Sequence, residues 1–396
     1  MISKRVEIGN KFECTGCGVC VSVCPKQCLT MVKDELGFSV PRLNQVECIN
    51  CGRCLKVCPQ QNKRDFKTTD SLCLCCQSKN KKELKQSSSG GYFSILAHWI
   101  IEKGGMVWGV SVDEEGNTEF ICVTKIEELW RIRGSKYVEV KSPLNYRAIK
   151  SQLVEGKYVM VSGLPCQILA LYNYLGKRNY PNLLLVDLLC YGIQSPKMWR
   201  IYVDEINPYH KKIRNVFMRD KSWSWYDYSL KIVYQDGSVY RKVRWYDDWL
   251  LSYSRSVFNR ESCTCCESKK FPRVSDFTIG DFWEINKYVA KNDYQCRKGL
   301  SIVYAHSILA KQIVKELEKN TLQEVINPSF SKIIQKGHSC SVPFHRDRNN
   351  FIKLVDEESF KEARNKYLES GLLFRLKKKI PAYKYILKTY LRRLIK

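Results

Sequence analysis

The chain has 396 residues, 44% of them hydrophobic, and a formal net charge of +26 at pH 7. This length allows two or three domains that each bury a core, and no part of the chain reads as disordered. The longest apolar stretches, residues 92–101 and 183–190, are too short to cross a bilayer. The charge favours an acidic partner, but the basic residues form no clustered basic and aromatic groove outside the C-terminus, so nucleic acid is not expected.

The cellular location follows from the N-terminus and the cysteines. Residues 1–10 show no signal peptide. The chain has 20 cysteines, and a reducing compartment would keep them available as thiolates instead of pairing them in disulfides. We therefore expect a cytoplasmic protein.

The N-terminal region repeats the cysteine spacing C-x2-C-x2-C-x3-C-P. The two copies are Cys14, Cys17, Cys20, Cys24 with Pro25, and Cys48, Cys51, Cys54, Cys58 with Pro59. Each such run supplies three thiolates to one 4Fe-4S cluster and its fourth to the neighbouring cluster. Zinc sites and disulfide frameworks also use paired cysteines, but neither needs a duplicated run that closes on proline. The sequence therefore predicts a dicluster ferredoxin-type domain over residues 1–62.

The crossed ligation assigns each cysteine to a cluster. The first 4Fe-4S cluster takes Cys14, Cys17, Cys20 and Cys58, and the second takes Cys48, Cys51, Cys54 and Cys24. Cys28, four residues after Cys24, is interpreted as a packing residue.

A strand, a small-residue loop and a helix follow the polar linker at residues 60–70. The strand is predicted over 71–77 and the helix over 92–103, with the sequence SSSGG at 87–91 between them. Small residues at a helix N-terminus leave backbone N–H groups open to an anion such as a cofactor phosphate. Serine and glycine are also ordinary N-caps, so both interpretations stay open here.

Strands and helices then alternate, which predicts an α/β body with a mixed sheet. Strands are predicted over 106–111, 119–123, 157–162 and 182–188, helices over 126–133, 146–155 and 167–175, and a hairpin over 229–245 that turns at 236–237. Cys166 and Cys190 follow two of these strands. Because open α/β sheets bind ligands beyond their strand ends, these two cysteines are candidate site residues.

The last part of the chain is basic. Residues 375–396 contain lysine and arginine but no acid, and Tyr383, Leu387, Tyr390 and Leu394 recur at helical spacing. Two interpretations are open for this amphipathic helix. It docks on an anionic membrane surface or an acidic protein, which would place the protein peripherally at the inner membrane face, or it packs on the body.

Several motifs together resemble the coenzyme F-420 hydrogenase/dehydrogenase beta-subunit family. The matching stretches are 87–93 (SSSGGYF), 133–137 (RGSKY), 162–169 (SGLPCQIL), 187–192 (DLLCYG), 263–266 (CTCC) and 276–283 (DFTIGDFW). The resemblance implies an N-terminal-like region over 68–155, a C-terminal-like region over 156–345 and a basic helical tail over 346–396. It also implies FAD and iron-sulfur clusters, which exchange electrons between a ferredoxin-type donor and a two-electron acceptor, often a deazaflavin.

The resemblance further implies a third 4Fe-4S cluster. Its ligands would be Cys166, Cys190, Cys263 and Cys266. The sequence leaves Cys265 as an alternative to Cys266, and it has Tyr191 where the family motif usually has histidine. Free cysteines also pack in cores, so Cys166 and Cys190 could instead be structural.

For the flavin, the resemblance points to two loops and two strand ends. The implied cofactor-binding residues are Ser88, Ser89, Gly90, Gly91, Ser135, Lys136, Gly163 and Gly192. A cation at Lys136 would stabilise an anionic reduced flavin. Lys221, with Arg219 and Trp225, is predicted to hold an anionic aromatic substrate by ion pairing and stacking. Lys136 and Lys221 are thus the candidate catalytic residues.

Together these expectations predict that the protein is an oxidoreductase. Clusters change by one electron, and a flavin joins them to two-electron chemistry on a small organic donor or acceptor. A ferredoxin or another redox protein is the expected partner. The alternative is a non-catalytic electron-transfer subunit of a partner enzyme, and turnover of a deazaflavin by the purified chain alone separates the two.

Overall fold

The computed structural model describes residues 8–10, 12–61, 71–178, 180–283, 298–325 and 342–368. The strands are β1 (Leu29–Lys33), β2 (Ser39–Leu43), β3 (Leu72–Ser78), β4 (Met106–Val112), β5 (Thr118–Val123), β6 (Val159–Gly163), β7 (Leu183–Leu188), β8 (Ile213–Asp220), β9 (Ser229–Tyr234), β10 (Val239–Val243), β11 (Phe277–Asp281), β12 (Ser301–Ala305) and β13 (Thr321–Val325).

The helices are α1 (Val19–Val23), α2 (Arg53–Val57), α3 (Lys81–Gln86), α4 (Tyr92–Glu102), α5 (Leu129–Ile132), α6 (Tyr146–Val154), α7 (Pro165–Tyr174), α8 (Pro196–Ile206), α9 (Asp248–Ser254), α10 (Ile308–Glu316), α11 (Arg348–Glu357) and α12 (Phe360–Tyr367). Short 3-10 turns lie at Ile126–Glu128, Glu261–Cys263 and Glu267–Lys269. No helix among the described residues is long and apolar enough to span a membrane.

The N-terminal module repeats its structure as it repeats its sequence. Each cysteine run places one short helix, α1 or α2, between its second and fourth cysteines. Gly18 and Gly52 precede these helices with φ of 70° and 69°, a left-handed conformation that favours glycine. The antiparallel pair of β1 and β2 completes the module.

The body is built on an eight-stranded mixed sheet in the order β13-β3-β12-β11-β7-β6-β4-β5. The neighbours β4, β6, β7 and β11 run parallel. β5 pairs antiparallel with β4 at one edge, and β12, β3 and β13 pair antiparallel at the other. The mixed α/β fold behind a ferredoxin-type module is thereby confirmed.

The central strands are buried on both faces. Met160 and Leu184 pack with the core formed around α4, whereas Val161 and Leu185 pack with the core formed around α7. Successive side chains of a strand point to opposite faces, so β6 and β7 need apolar residues at consecutive positions. The continuous apolar runs in the sequence reflect this double burial.

A second, three-stranded antiparallel sheet in the order β10-β9-β8 lies beside the large one. Its core is aromatic and includes Trp249 from α9 and Phe360 from α12. The described part of the predicted C-terminal region, α11 and α12, belongs to this core. The amphipathic helix predicted within 375–396 lies outside the described residues.

Two predicted helices differ in detail from the observed ones. Residues 126–133 form the 3-10 turn Ile126–Glu128 followed by α5. The helix predicted to begin at residue 167 begins at Pro165, because proline fits the first turn of a helix, where its missing N–H is not needed.

A buried ion pair fixes the module to the body. Arg260 donates to Glu139 at 2.5 Å, and their side chains are only 3% and 7% exposed. Arg260 also donates to the backbone carbonyls of Cys14 at 2.7 Å and Ser39 at 2.8 Å, while Glu139 accepts from the Ser39 N–H at 2.6 Å. Both partners lie in the body and both reach the module, so the pair holds the first cysteine loop in place.

We expect Glu139→Gln to destabilise the protein by about 3–5 kcal/mol, since it leaves the Arg260 charge buried without its partner. Urea unfolding of the anaerobically purified protein measures this. Lys353→Ala is the matched control, because Lys353 and Glu357 form an exposed ion pair that contributes about 0–1 kcal/mol. Equal unfolding free energies for the two variants would show that the pair does not fasten the module.

Candidate redox centre

The four thiols assigned to the first cluster come from both cysteine runs. Burial raises the pKa of the Cys20 thiol, and the charges of Cys17, Cys14 and Cys58 raise it further. Helix α1, which carries Cys20, packs against α2, and Cys58 directly follows α2. The placement of Cys58 beside the first run is compatible with the crossed ligation, which stays a prediction.

The second set of thiols lines one small pocket. Its cysteines are Cys24, Cys48, Cys51 and Cys54, with Cys28 beside them. The sulfur atoms of Cys24 and Cys28 are 3.4 Å apart. Cys28 is buried, as expected of a packing residue, but it packs directly against the second thiol set.

A cavity of about 430 Å³ opens where the parallel strands β6, β7 and β11 end. Gly163, Leu188 and Asp281, the last residues of these strands, all line it. This is the edge of an α/β sheet at which ligands usually bind.

Four cysteines from separate loops line one part of this cavity. They are Cys166, Cys190, Cys263 and Cys266. Cys166 lies in the first turn of α7, after β6, and Cys190 follows β7. Cys263 ends one 3-10 turn, and Cys266 precedes the next. The sheet edge thus brings together residues that are far apart in the sequence.

The four thiols act on one another electrostatically. Burial raises the pKa of the Cys166 thiol, and Cys266, Cys190 and Cys263 raise it further. Burial and then Cys190 raise the pKa of Cys263 to about 12. A thiol set crowded around a common space fits a 4Fe-4S cluster, whose irons would stabilise the thiolates. Within the described residues, no three His, Cys, Asp or Glu side chains are arranged to hold a single metal ion.

The choice between Cys265 and Cys266 has a geometric answer. Cys266 lines the cavity, whereas Cys265 is exposed and its sulfur donates to the carbonyl of Phe12 at 3.2 Å. The position of Cys266 therefore fits the thiol set and that of Cys265 does not.

The two loops predicted to bind a flavin meet at the same cavity. Ser88, Ser89, Gly91, Ser135 and Lys136 line it, and Ser88 Oγ accepts from the Ser135 N–H at 2.9 Å. This hydrogen bond joins the serine-glycine loop to the loop before Tyr137.

The glycines have distinct positions around the cavity. Gly163 and Gly192 line it, as expected. Gly90 faces away, since a Cβ there would lie 2.3 Å from the carbonyl oxygen of Cys76. Gly90 is thus required for close packing of the loop on the sheet, and Gly91 carries the turn at the start of α4.

Lys136 lies in the cavity wall. Its Nζ donates to the carbonyl of Arg133 at 2.8 Å. Burial, followed by repulsion from the Arg133 charge, lowers the pKa of Lys136 to about 7. An anion in the cavity would favour the protonated amine.

Lys221 has a different environment from the one predicted. Its Nζ donates to the backbone carbonyls of Ser89 and Lys298, and burial lowers its pKa to about 7. It does not line the cavity but holds the serine-glycine loop from behind. The prediction that Lys221 contacts substrate directly is corrected accordingly.

The two residues predicted to act with Lys221 are also engaged internally. Arg219 pairs with Asp281, and its guanidinium lies 4.6 Å from the ring centroids of Tyr228 and Trp283. Trp225 is fully buried, donates to Asp281 at 2.8 Å and cannot stack on a ligand. Of the three predicted substrate residues, only Arg219 lines the cavity.

Sequence reasoning missed several residues of the cavity wall. Tyr137 and Tyr253 stack with centroids 4.0 Å apart, and both line the cavity with Arg244. The guanidinium of Arg244 lies 4.0 Å from the ring centroid of Trp245. Tyr137 ends the motif stretch 133–137, but only Ser135 and Lys136 of that stretch were predicted to bind the cofactor. No quoted motif contains Tyr253 or Arg244.

The paired cysteine runs of the N-terminal module define an iron-sulfur electron-transfer protein. Residues 13–62 match the 4Fe-4S dicluster domain. Residues 156–329 match the family described as the C terminus of the beta subunit of coenzyme F420 hydrogenase/dehydrogenase. A match to a dicluster domain is thus followed along the chain by a match to that family's C-terminal region, which confirms the resemblance drawn from its motifs.

The chain is also similar to a chain of a solved complex. That complex is the xenon-derivatised F420-reducing NiFe hydrogenase from Methanosarcina barkeri, and the alignment has 16% identity and a TM-score of 0.45. It covers 74% of this chain and 94% of the other. No curated protein sequence matches this chain.

Lys136→Met should reduce the rise of stability with pH between about pH 7 and 10. The Lys136 pKa is about 7 in the folded protein and lies near 10.4 in unfolded chains, so the unfolded state binds more protons across this window. The free energy of unfolding therefore rises with pH through this window. Below about pH 7 the amine is charged in both states, and the full cost of burying that charge remains. Anaerobic urea unfolding at several pH values measures the slope.

The exposed Lys150→Met serves as the control and should keep the wild-type slope. Lys221 contributes in the same direction, so some slope remains in the Lys136 variant. An unchanged slope in Lys136→Met would show that this amine is hydrated in the folded protein.

Proposed function

We propose that this protein is an iron-sulfur flavoprotein oxidoreductase. It passes electrons between its 4Fe-4S clusters and FAD, and between FAD and a two-electron substrate such as a deazaflavin or another organic compound. One observation carries the proposal. The loops at Ser88 and Lys136 line the same cavity as the four thiols of Cys166, Cys190, Cys263 and Cys266.

The electron path runs from the module into this cavity. Cys17, assigned to the first cluster, packs against the core that includes Ile168 of α7. Helix α1 packs against α7, which carries Cys166. The Tyr146 hydroxyl, which donates to the Cys17 carbonyl at 2.7 Å, steadies the same contact. The first cluster is therefore the neighbour of the proposed third cluster.

The charges of the cavity suit an anionic cofactor. Two carboxylates line it, Glu139 and Asp281, and each is paired with an arginine. Lys136 and Arg244 add positive charge to the same wall. The pyrophosphate of FAD would thus meet a site with excess cationic charge.

The residues that would hold FAD are those of the two joined loops. Ser88, Ser89, Gly91 and Ser135 offer hydroxyl and backbone groups, and Lys136 offers an amine. FAD, when bound, supplies the step from one-electron to two-electron transfer. Lys136 holds its proton at Nζ when an anion lies beside it, and Lys221 keeps the Ser89 loop in position through that residue's carbonyl.

For this function we propose that the chain has the four parts that the sequence predicts. Residues 1–62 carry the two outer clusters, 68–155 and 156–345 form the body with its cavity, and 346–396 form the tail. The matched ranges 13–62 and 156–329 fall within the first and third parts. A reducing cytoplasm would suit the free thiolates that the clusters need.

The iron content tests the third cluster. Anaerobically purified protein should contain about twelve irons per chain, and Cys166→Ala should contain about eight. Cys265→Ala is the matched control and should keep about twelve, because Cys265 lies outside the thiol set. About twelve irons in Cys166→Ala, or about eight in the unaltered protein, would contradict the third cluster.

The affinity for FAD tests the flavin site. Loss of a charge-assisted hydrogen bond costs about 1.5–3 kcal/mol, so Lys136→Met should bind FAD about tenfold or more weakly in a fluorescence titration. Binding by the unaltered protein should also weaken as pH rises through about 7, because Lys136 loses its proton there. Lys150→Met should behave as the unaltered protein does. Absence of FAD binding in all three would reject the flavin and leave the chain as a relay between clusters.

A further inference from the structure

The two thiol sets of the module have different surroundings. Cys17 of the first set packs against the core of the body around α7. In the second set, Cys51 is exposed and Cys48 is partly exposed. A cluster held by the second set would therefore present an edge to solvent, and exchange with an external protein is fastest through such an edge.

Apolar side chains surround this edge. Val46 is 95% exposed and Ile49 is 58% exposed, and both lie in the loop that carries Cys48 and Cys51. Ile49 also lines the pocket of the second thiol set. Exposed apolar groups beside a redox centre suit a contact that forms and breaks readily, because they exclude water over a small area.

Cations lie at the same place. Lys26 and Arg53 line the pocket of the second thiol set and are exposed. Glu47, also exposed, is the acidic residue of this loop. The chain as a whole has a net charge of +26, which falls by only about 2 for each oxidised cluster. The field around this edge therefore attracts an acidic protein over distances of about a Debye length.

We propose that Lys26, Val46, Ile49, Cys51 and Arg53 form the docking surface for a small acidic one-electron carrier protein. In the exchange, the reduced carrier loses one electron and the second cluster gains it, or the reverse, and no bond or proton moves. The proposal rests on the cluster-binding module of the proposed function. It does not require the third cluster or FAD.

Binding and electron transfer can be measured separately. The double variant Lys26→Glu and Arg53→Glu is compared with the unaltered protein, using an acidic ferredoxin as the probe. Calorimetry at low and moderate salt gives the dissociation constant for the oxidised ferredoxin. Stopped-flow loss of cluster absorbance gives the rate of reduction by reduced ferredoxin and, separately, by the radical cation of methyl viologen.

We expect the double variant to bind ferredoxin at least about tenfold more weakly at low salt, with less salt dependence, because like charges then face each other. Its reduction by ferredoxin should slow in proportion, whereas its reduction by the cationic viologen should not slow. Glu47→Lys should bind ferredoxin more tightly. The control double variant is Lys81→Glu and Lys315→Glu, which changes exposed lysines on α3 and α10 by the same total charge. Its dissociation constant for ferredoxin should stay within about twofold of that of the unaltered protein.

Equal weakening in the two double variants would overturn the docking surface and leave only a general charge effect. Weaker binding in Glu47→Lys would also overturn it. Each variant is first checked for unchanged iron content and cluster absorbance. Because ferredoxin binding is read without turnover, loss of the flavin or of the third cluster would leave this result intact.

Discussion

The arrangement of the redox groups depends on the buried pair of Arg260 and Glu139. A charge in a protein interior is tolerated when it is paired and its remaining hydrogen bonds are satisfied. Here the remaining bonds go to the module, at the carbonyls of Cys14 and Ser39. The body therefore cannot satisfy this pair by itself. Docking of the module completes it, and the same docking packs Cys17 against the core around α7, the helix that carries Cys166.

The first cysteine loop is shaped to fit this pair. Gly16, between Cys14 and Cys17, has φ +70°, and a Cβ there would lie 2.8 Å from an Arg260 nitrogen and 3.0 Å from a Glu139 oxygen. The glycine thus serves two needs, a left-handed turn that aims the cysteines and space for the ion pair. A substitution at this position would disturb the ligand loop and the contact with the body together.

The sequence proposes the cysteine sites from signals that are local or come as a set of motifs, and the structure places the later cysteines around one cavity. Spacing alone paired Cys58 with the first run, and the family motifs brought Cys166 and Cys263 to one site. The roles of Lys221 and Trp225 could not be predicted in this way. Their partners, the carbonyl of Ser89 and the carboxylate of Asp281, lie in distant segments that only the folded sheet brings near. A sequence identifies a cation but not the group that it will face.

The two lysines make this distinction concrete. Burial lowers the pKa of each to about 7, so their titration alone does not tell them apart. The amine of Lys221 is held by two backbone carbonyls behind the Ser89 loop, which fixes its position whatever the cavity contains. The amine of Lys136 lines the cavity itself. Its charge therefore depends on what binds there, because an anion would draw the proton back to it. A buried lysine of this second kind can match the charge of a cofactor as that charge changes, whereas one of the first kind can only support the loop.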